Sequence, residues 1–309
     1  MASILRFWKI VRNVASILAA LVAAFFLLFV PWFFSGLVTT RQYHYPDRND
    51  GKSPKSYGLD FQWVEFQSRD GISLRGWYVP ADTMARGTII YCHGLNRTRI
   101  EMLPEAVFGH HLGYNGLLFD FRHQGQSGGS ITTLGYQERW DVEAAVRYAL
   151  EKQQAARPVV LWGVSMGAAA ALMAGAETGE VSAVISDSSF DSFLGTARHH
   201  LKLFLHLPFF PVGYEITYLA AWRCGFRPSD FDLTQAVERI GNRPILFVAV
   251  EGDRRMPPSI AQTLYKHALS PQKKIIILPG NRHGEGFNQA TQLYEPAVTD
   301  FLAGLTAEN

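Results

Sequence analysis

The sequence predicts an α/β domain built on a largely parallel sheet covered by helices on both faces, preceded by one apolar helix. Three observations carry this. Short apolar runs rich in β-branched residues alternate with segments of helical periodicity from about Phe61 to Leu305. One of those runs, Val159 to Val164, ends in Gly163-Val164-Ser165-Met166-Gly167 and passes at once into an alanine-rich helix. An uncharged stretch from Asn13 to Thr40 stands in front of the alternation.

Composition sets the bounds. The chain has 309 residues, 48% hydrophobic and 18% charged, which suits one large α/β domain with an insertion or two ordinary domains. A formal net charge of +2 and the lack of a basic run argue against a nucleic-acid partner. Cys92 and Cys224 are too far apart for metal-type spacing and too few for a disulfide framework. No metal and no cofactor are expected.

The first forty residues read as a membrane segment. Arg6, Lys9 and Arg12 precede a core, Val14 to Val30, of Leu, Ala, Val, Ile and Phe. A secretory h-region takes ~7–15 residues and a bilayer span ~20, so the stretch is too long for an ordinary cleaved signal. Pro31-Trp32-Phe33-Phe34 reads as an interfacial aromatic anchor. The expected organisation is a single-pass anchor over 1–40, a polar linker over 41–60, and the α/β domain over 61–309. Arg41, Arg48, Lys52 and Lys55 follow the span closely, so the positive-inside count does not choose an orientation. The tight basic cluster at the N-terminus favours a domain on the exported side.

The elements then follow in order. Phe61 to Ser68 and Ile72 to Val79 alternate as strands do and flank the turn Asp70-Gly71, which predicts a hairpin. Thr88 to Cys92 is a buried strand running into His93-Gly94-Leu95, and a helix is expected over Glu101 to His111. Gly116 to Phe121 is the next strand and ends in a glycine-rich loop; Tyr136 to Gln153 has helical periodicity. After the Ser165 turn, Val181 to Ile185 reads as a strand. From about 188 to 233 the chain becomes aromatic and apolar with no evident strand, which predicts a helical cap insertion. Strand Pro244 to Val250, helix Ser259 to Ala268, strand Lys274 to Leu278 and helix Thr291 to Leu305 complete the alternation.

Candidate chemistry gathers at the C-terminal ends of strands. A sharp strand–turn–helix holds its middle residue out of the sheet, which makes Ser165 a candidate nucleophile. A serine nucleophile needs a base, an orienting acid and an oxyanion hole. Asp253 follows the strand ending at Val250 and precedes a Pro-started helix; it reads as the acid, or as an N-cap aspartate. His283 follows the last strand in a short glycine-rich loop and reads as the base, or as a surface histidine. Asp187, at the end of the strand after the nucleophile helix, is the alternative acid. The N–H groups of Leu95 and Met166 are candidates for the oxyanion hole. His93, His123 and Phe190 are candidate substrate-binding residues. His199, His200 and His206 share part of a cap helix face without metal spacing.

These motifs resemble the α/β-hydrolase superfamily over about Phe61 to Leu305. Besides Gly163 to Gly167, the loop Asp120-Phe121-Arg122-His123-Gln124-Gly125-Gln126-Ser127 is similar to the family's Asp-aromatic-Arg-Gly-x-Gly-x-Ser loop, with His123 in place of a glycine. Gly71 to Pro80 looks like its opening hairpin and Asp253-Arg254-Arg255-Met256-Pro257 like its acid turn. The resemblance extends to small membrane-anchored serine hydrolases related to prolyl-oligopeptidase-type catalytic domains. It implies a carboxylesterase- or thioesterase-like serine hydrolase acting on a small-molecule acyl ester or thioester, with a Ser-His-Asp triad. The aromatic cap suggests a lipid-like substrate. The alternatives are a peptidase and a non-catalytic binding protein of the same fold.

Overall fold

The structure is a computed structural model that describes residues 1–40, 45–206 and 208–306. Arg41, the start of the expected linker and residue 207 of the expected cap lie outside the described residues.

The apolar stretch is helical throughout, as α1 (Ala2–Ala24), a wide π-helical turn (Phe25–Phe29) and α2 (Val30–Thr40). The helix runs on through Pro31 and the residues read as the aromatic anchor. Proline has no N–H to donate and its ring crowds the carbonyl four residues back. The wide turn loosens the backbone just where that crowding falls, and the helix resumes. Its last turns pack along a helix of the cap.

Eight strands form one sheet in the order β1-β2-β4-β3-β5-β6-β7-β8. The strands are β1 (Gln62–Gln67), β2 (Ser73–Val79), β3 (Thr88–Cys92), β4 (Asn115–Phe119), β5 (Val159–Val164), β6 (Ala183–Asp187), β7 (Ile245–Val250) and β8 (Lys274–Leu278). The first two form the predicted hairpin, with Gln67 opposite Ser73, and β2 runs antiparallel to β4; all other pairs are parallel. β5 is central and every one of its residues is buried, as expected for a strand covered on both faces.

The covering helices are α3 (Leu103–His111), α4 (Glu138–Lys152), α5 (Met166–Glu177), α6 (Phe193–His200), α7 (Tyr214–Arg223), α8 (Leu233–Ile240), α9 (Pro258–His267), α10 (Gly286–Gln289) and α11 (Thr291–Thr306). One core lies on each face of the sheet. β6 starts two residues later than its apolar run suggests, because the Val181 N–H is still bonded to Thr178 O at the exit of α5. At its other end the pairing runs on to Asp187, opposite Val164 and Val248.

The segment read as a linker is fastened to the domain from Tyr45 onward. Tyr45 N–H donates to Asn96 O (3.1 Å), and the Arg97 guanidinium donates to Pro46 O (3.1 Å) and pairs with Asp47 (3.6 Å). Arg48 pairs with Glu285 at 2.7 Å.

Candidate active site

The turn between β5 and α5 is built by its glycines. A side chain at Gly167 would be driven onto the backbone carbonyls of Cys92 and His93, and one at Gly163 onto the Gly167 backbone. Only in this close approach can the chain reverse within one residue, and Ser165 takes the strain at φ 54°, ψ −117°. Gly167→Ala is accordingly expected to destabilise the fold by several kcal/mol, since backbone cannot retreat as a side chain can. A melting temperature within a few degrees of wild type would contradict this.

Three side chains from three strand ends meet here. Ser165 Oγ–H donates to His283 Nε2 at 2.8 Å, and His283 Nδ1–H donates to Asp253 Oδ2 at 2.7 Å. A carboxylate can only accept, so this pairing puts the ring proton on Nδ1 and leaves Nε2 free to take the serine proton. Asp253 Oδ1 accepts the N–H groups of Arg255 (2.8 Å) and Met256 (3.0 Å). Burial pushes the Asp253 carboxyl up, but the His283 hydrogen bond and charge and the two N–H groups outweigh it, so its pKa lies below the usual carboxylate value.

Asp187 is placed elsewhere. It accepts Ser188 Oγ–H at 2.8 Å and Tyr294 O–H at 2.9 Å, and burial raises its pKa to about 6. A raised carboxyl favours folding below its unfolded pKa, and that advantage is lost as pH rises through about 6. Wild type is therefore expected to gain on the order of 2 kcal/mol over Asp187→Asn between pH 7 and pH 4. Urea midpoints of the two proteins at both pH values check this; parallel pH profiles would refute it.

Around Ser165, the N–H of Met166 is the first of α5, and neither it nor the N–H of Leu95 has a partner among the described residues. Both belong to the described residues. Before them, Gly94 N–H donates to Glu101 Oε2 at 2.6 Å, and Glu101 Oε1 pairs with Arg97 Nε at 3.2 Å. Burial, partly offset by the Gly94 N–H and Arg97, raises the Glu101 pKa to about 7. Sequence reasoning missed Glu101. Its only trace is an acidic residue at the start of the segment before α3, where acids are common for helix-dipole reasons alone.

The three residues expected to bind substrate do other work. His93 is fully buried: its Nδ1–H donates to Gly94 O (2.8 Å) and its Nε2 accepts Phe121 N–H (3.0 Å), leaving no ring nitrogen for a ligand. His123 bonds Thr40 O through Nε2 at 2.9 Å and so ties the end of α2 to the loop after β4. Phe190 is buried with its ring edge-on to Phe231, inside the aromatic packing under the cap. His199 and His200 are not simply an amphipathic face. Their Nε2 atoms bond the carbonyls of Arg254 (2.8 Å) and Arg255 (3.2 Å) and latch α6 to the acid turn.

In this arrangement the imidazole can accept the Ser165 proton while Asp253 stabilises the resulting cation. A family model described as "alpha/beta hydrolase fold" matches residues 87–221, which carry the Ser165 turn and most of the cap. The chain has the α/β-hydrolase fold. An esterase of Pyrococcus furiosus has the same architecture, with a TM-score of 0.70 at 24% identity over 85% of this chain and 98% of that one. Among relatives in sequence, YqkD of Bacillus subtilis is 29% identical over 75% of this chain and 76% of its own length. YfhR of Escherichia coli K12 is 26% identical over 92% of this chain and 95% of its own.

Proposed function

We propose that this chain is a membrane-anchored serine hydrolase that cleaves carboxylic ester or thioester bonds through an acyl-enzyme. The observation that carries the reading is the hydrogen-bonded line Ser165–His283–Asp253 beside two N–H groups that have no partner among the described residues. Ser165 Oγ attacks the acyl carbonyl as His283 takes its proton. The N–H groups of Leu95 and Met166 hold the developing oxyanion. His283 then protonates the leaving alcohol or thiol, and the ester on Ser165 is hydrolysed by water activated in the same way. The fold-level likeness to an esterase supports the same chemistry.

The helix Ser3–Thr40, 38 residues with a mean hydropathy of 2.6 in its apolar window and 6% of that window buried, supports an anchor. In this reading the basic cluster Arg6, Lys9 and Arg12 stays cytoplasmic and the domain is exported. Protease added to intact spheroplasts should then remove the domain, and full protection would reverse the orientation.

The test of the activity is turnover of purified full-length chain in detergent on acyl esters and thioesters of graded chain length, beside a peptide panel. Hydrolysis of esters with no peptide cleavage is expected. Turnover of peptides alone would replace the reading with a peptidase.

Glu101 acts here through the oxyanion loop. Holding the Gly94 N–H turns the following peptide so that the Leu95 N–H faces the Ser165 side. Glu101→Ala is expected to lower kcat about 10- to 100-fold with KM changed less than threefold, short of the ~10²–10³ that losing a donor outright costs. Steady-state kinetics on a short ester check it; an unchanged kcat would remove Glu101 from this role.

A further inference from the structure

The cap carries a second property that the chemistry at Ser165 does not use. Between Lys202 and Glu215 the sequence has no Asp, Glu, Lys or Arg. Its large apolar side chains are not turned inward. Phe210 is 74% and Trp222 67% exposed, and Phe204, Tyr214 and Tyr218 are exposed as well. A soluble domain seldom presents such a surface without something to cover it.

The position of this surface says what covers it. α7 lies along α2, and the cap turn Phe209–Gly213 touches both α2 and the wide turn Phe25–Phe29. Those phenylalanines fall in the apolar stretch between Arg12 and Arg41, inside the ~20 residues that a bilayer core takes. A cap segment packed on them shares their depth. At the other end of the contact, the Arg223 guanidinium lies 3.9 Å from the Trp32 ring centroid and donates to Ser35 Oγ at 3.1 Å, a polar border of the kind found at headgroup level.

The same border lies close to the reacting serine. Thr39 O accepts Thr132 N–H at 2.8 Å, and Thr132 Oγ1 lies 3.9 Å from Met166 Sδ, the side chain next to Ser165. From Val30 to Thr40 is 11 residues, roughly 16 Å of helix. The site therefore sits just above the apolar layer.

We propose that the cap from Phe204 to Trp222 is a bilayer-docking surface that continues the α1–α2 span and seats the Ser165 site at headgroup level, so that the acyl substrate is drawn from the lipid phase. The proposal rests on the reading of the chain as an anchored serine hydrolase and names where its substrate resides. A second copy of the chain could cover an apolar face too, but it would not explain why that face continues a membrane helix.

The test uses full-length chain reconstituted in phosphatidylcholine vesicles, with an environment-sensitive fluorophore on Phe210→Cys. Ile17→Cys in α1 serves as lipid control. Glu180→Cys, exposed at the opposite end of the sheet before β6, serves as water control. The Phe210 label is expected to be quenched by acyl-chain nitroxide lipid as the Ile17 label is, at least threefold more than the Glu180 label, and to be shielded from iodide. A Phe210 label that behaves like Glu180 while Ile17 is lipid-quenched overturns the proposal. So does one shielded from both quenchers, which would report a second copy. If Ile17 itself escapes lipid quenching, the anchor fails and the proposal with it.

Turnover gives an independent reading. Phe210→Asp with Trp222→Asp is expected to lose at least tenfold on a long-chain ester embedded in the vesicles and less than twofold on a water-soluble short ester. Equal rates of wild type and variant on the embedded ester overturn the proposal. Should the double variant lose both activities, Trp222→Ser alone is expected to show the selective loss, and its absence there overturns the proposal. Ser165→Ala on the short ester separates this outcome from failure of the hydrolase reading itself.

Discussion

Ser165→Ala is expected to abolish labelling by a fluorophosphonate probe and to lower kcat on a short acyl ester by about 10⁴- to 10⁶-fold. The argument is geometric. No other hydroxyl bonds to His283 Nε2 among the described residues, and the turn that exposes Ser165 is held by Gly163 and Gly167 rather than by the serine side chain. The variant should therefore fold like wild type and retain the residual rate that the oxyanion N–H groups supply alone. An unchanged melting curve is part of the expected result. A variant that keeps its turnover would remove the acyl-enzyme mechanism altogether. Wild type that fails to label even in detergent would point to a binding protein of this fold.

For Asp253→Asn a loss of about 10⁴-fold in kcat is expected, against less than tenfold for Asp187→Asn. The two N–H groups of Arg255 and Met256 both point at Oδ1 of Asp253. An asparagine satisfies them best with its amide oxygen there, which turns its NH₂ toward His283. The imidazole must then accept at Nδ1 and carry its proton on Nε2, facing Ser165. In that tautomer it cannot take the serine proton. Asp187 lies on the neighbouring strand end, but its oxygens are committed to Ser188 and Tyr294. Comparable losses in the two variants would mean that the acid assignment is wrong.

Much of this site was legible because its members sit where secondary structure changes. A buried strand, a glycine-bounded serine and a small-residue helix are neighbours in sequence as well as in space. Asp253 and His283 likewise follow two apolar runs. The substrate-side assignments failed for a different reason. His93, His123 and Phe190 each lie near the right loops, but whether a side chain faces the cleft or the core depends on its partners. Those partners are Phe121, Thr40 and Phe231, all remote in sequence. Glu101 was invisible for the same reason, since nothing local reveals that its oxygen closes on Gly94.

The sequence by itself determined the alternation of strands and helices, the strained turn at Ser165 and the apolar span. All of these rest on short-range causes: periodicity of burial, backbone sterics at glycine, and the length of an uncharged run. Only the tertiary structure decided that Asp253 and not Asp187 meets His283, because strand order sets which chain-distant ends converge. It alone carried α2 past Pro31 and laid it on the cap. The energy of that contact comes from Trp32, Ser35 and Arg223, which lie nearly two hundred residues apart along the chain. Such a pairing leaves no local trace for a sequence to show.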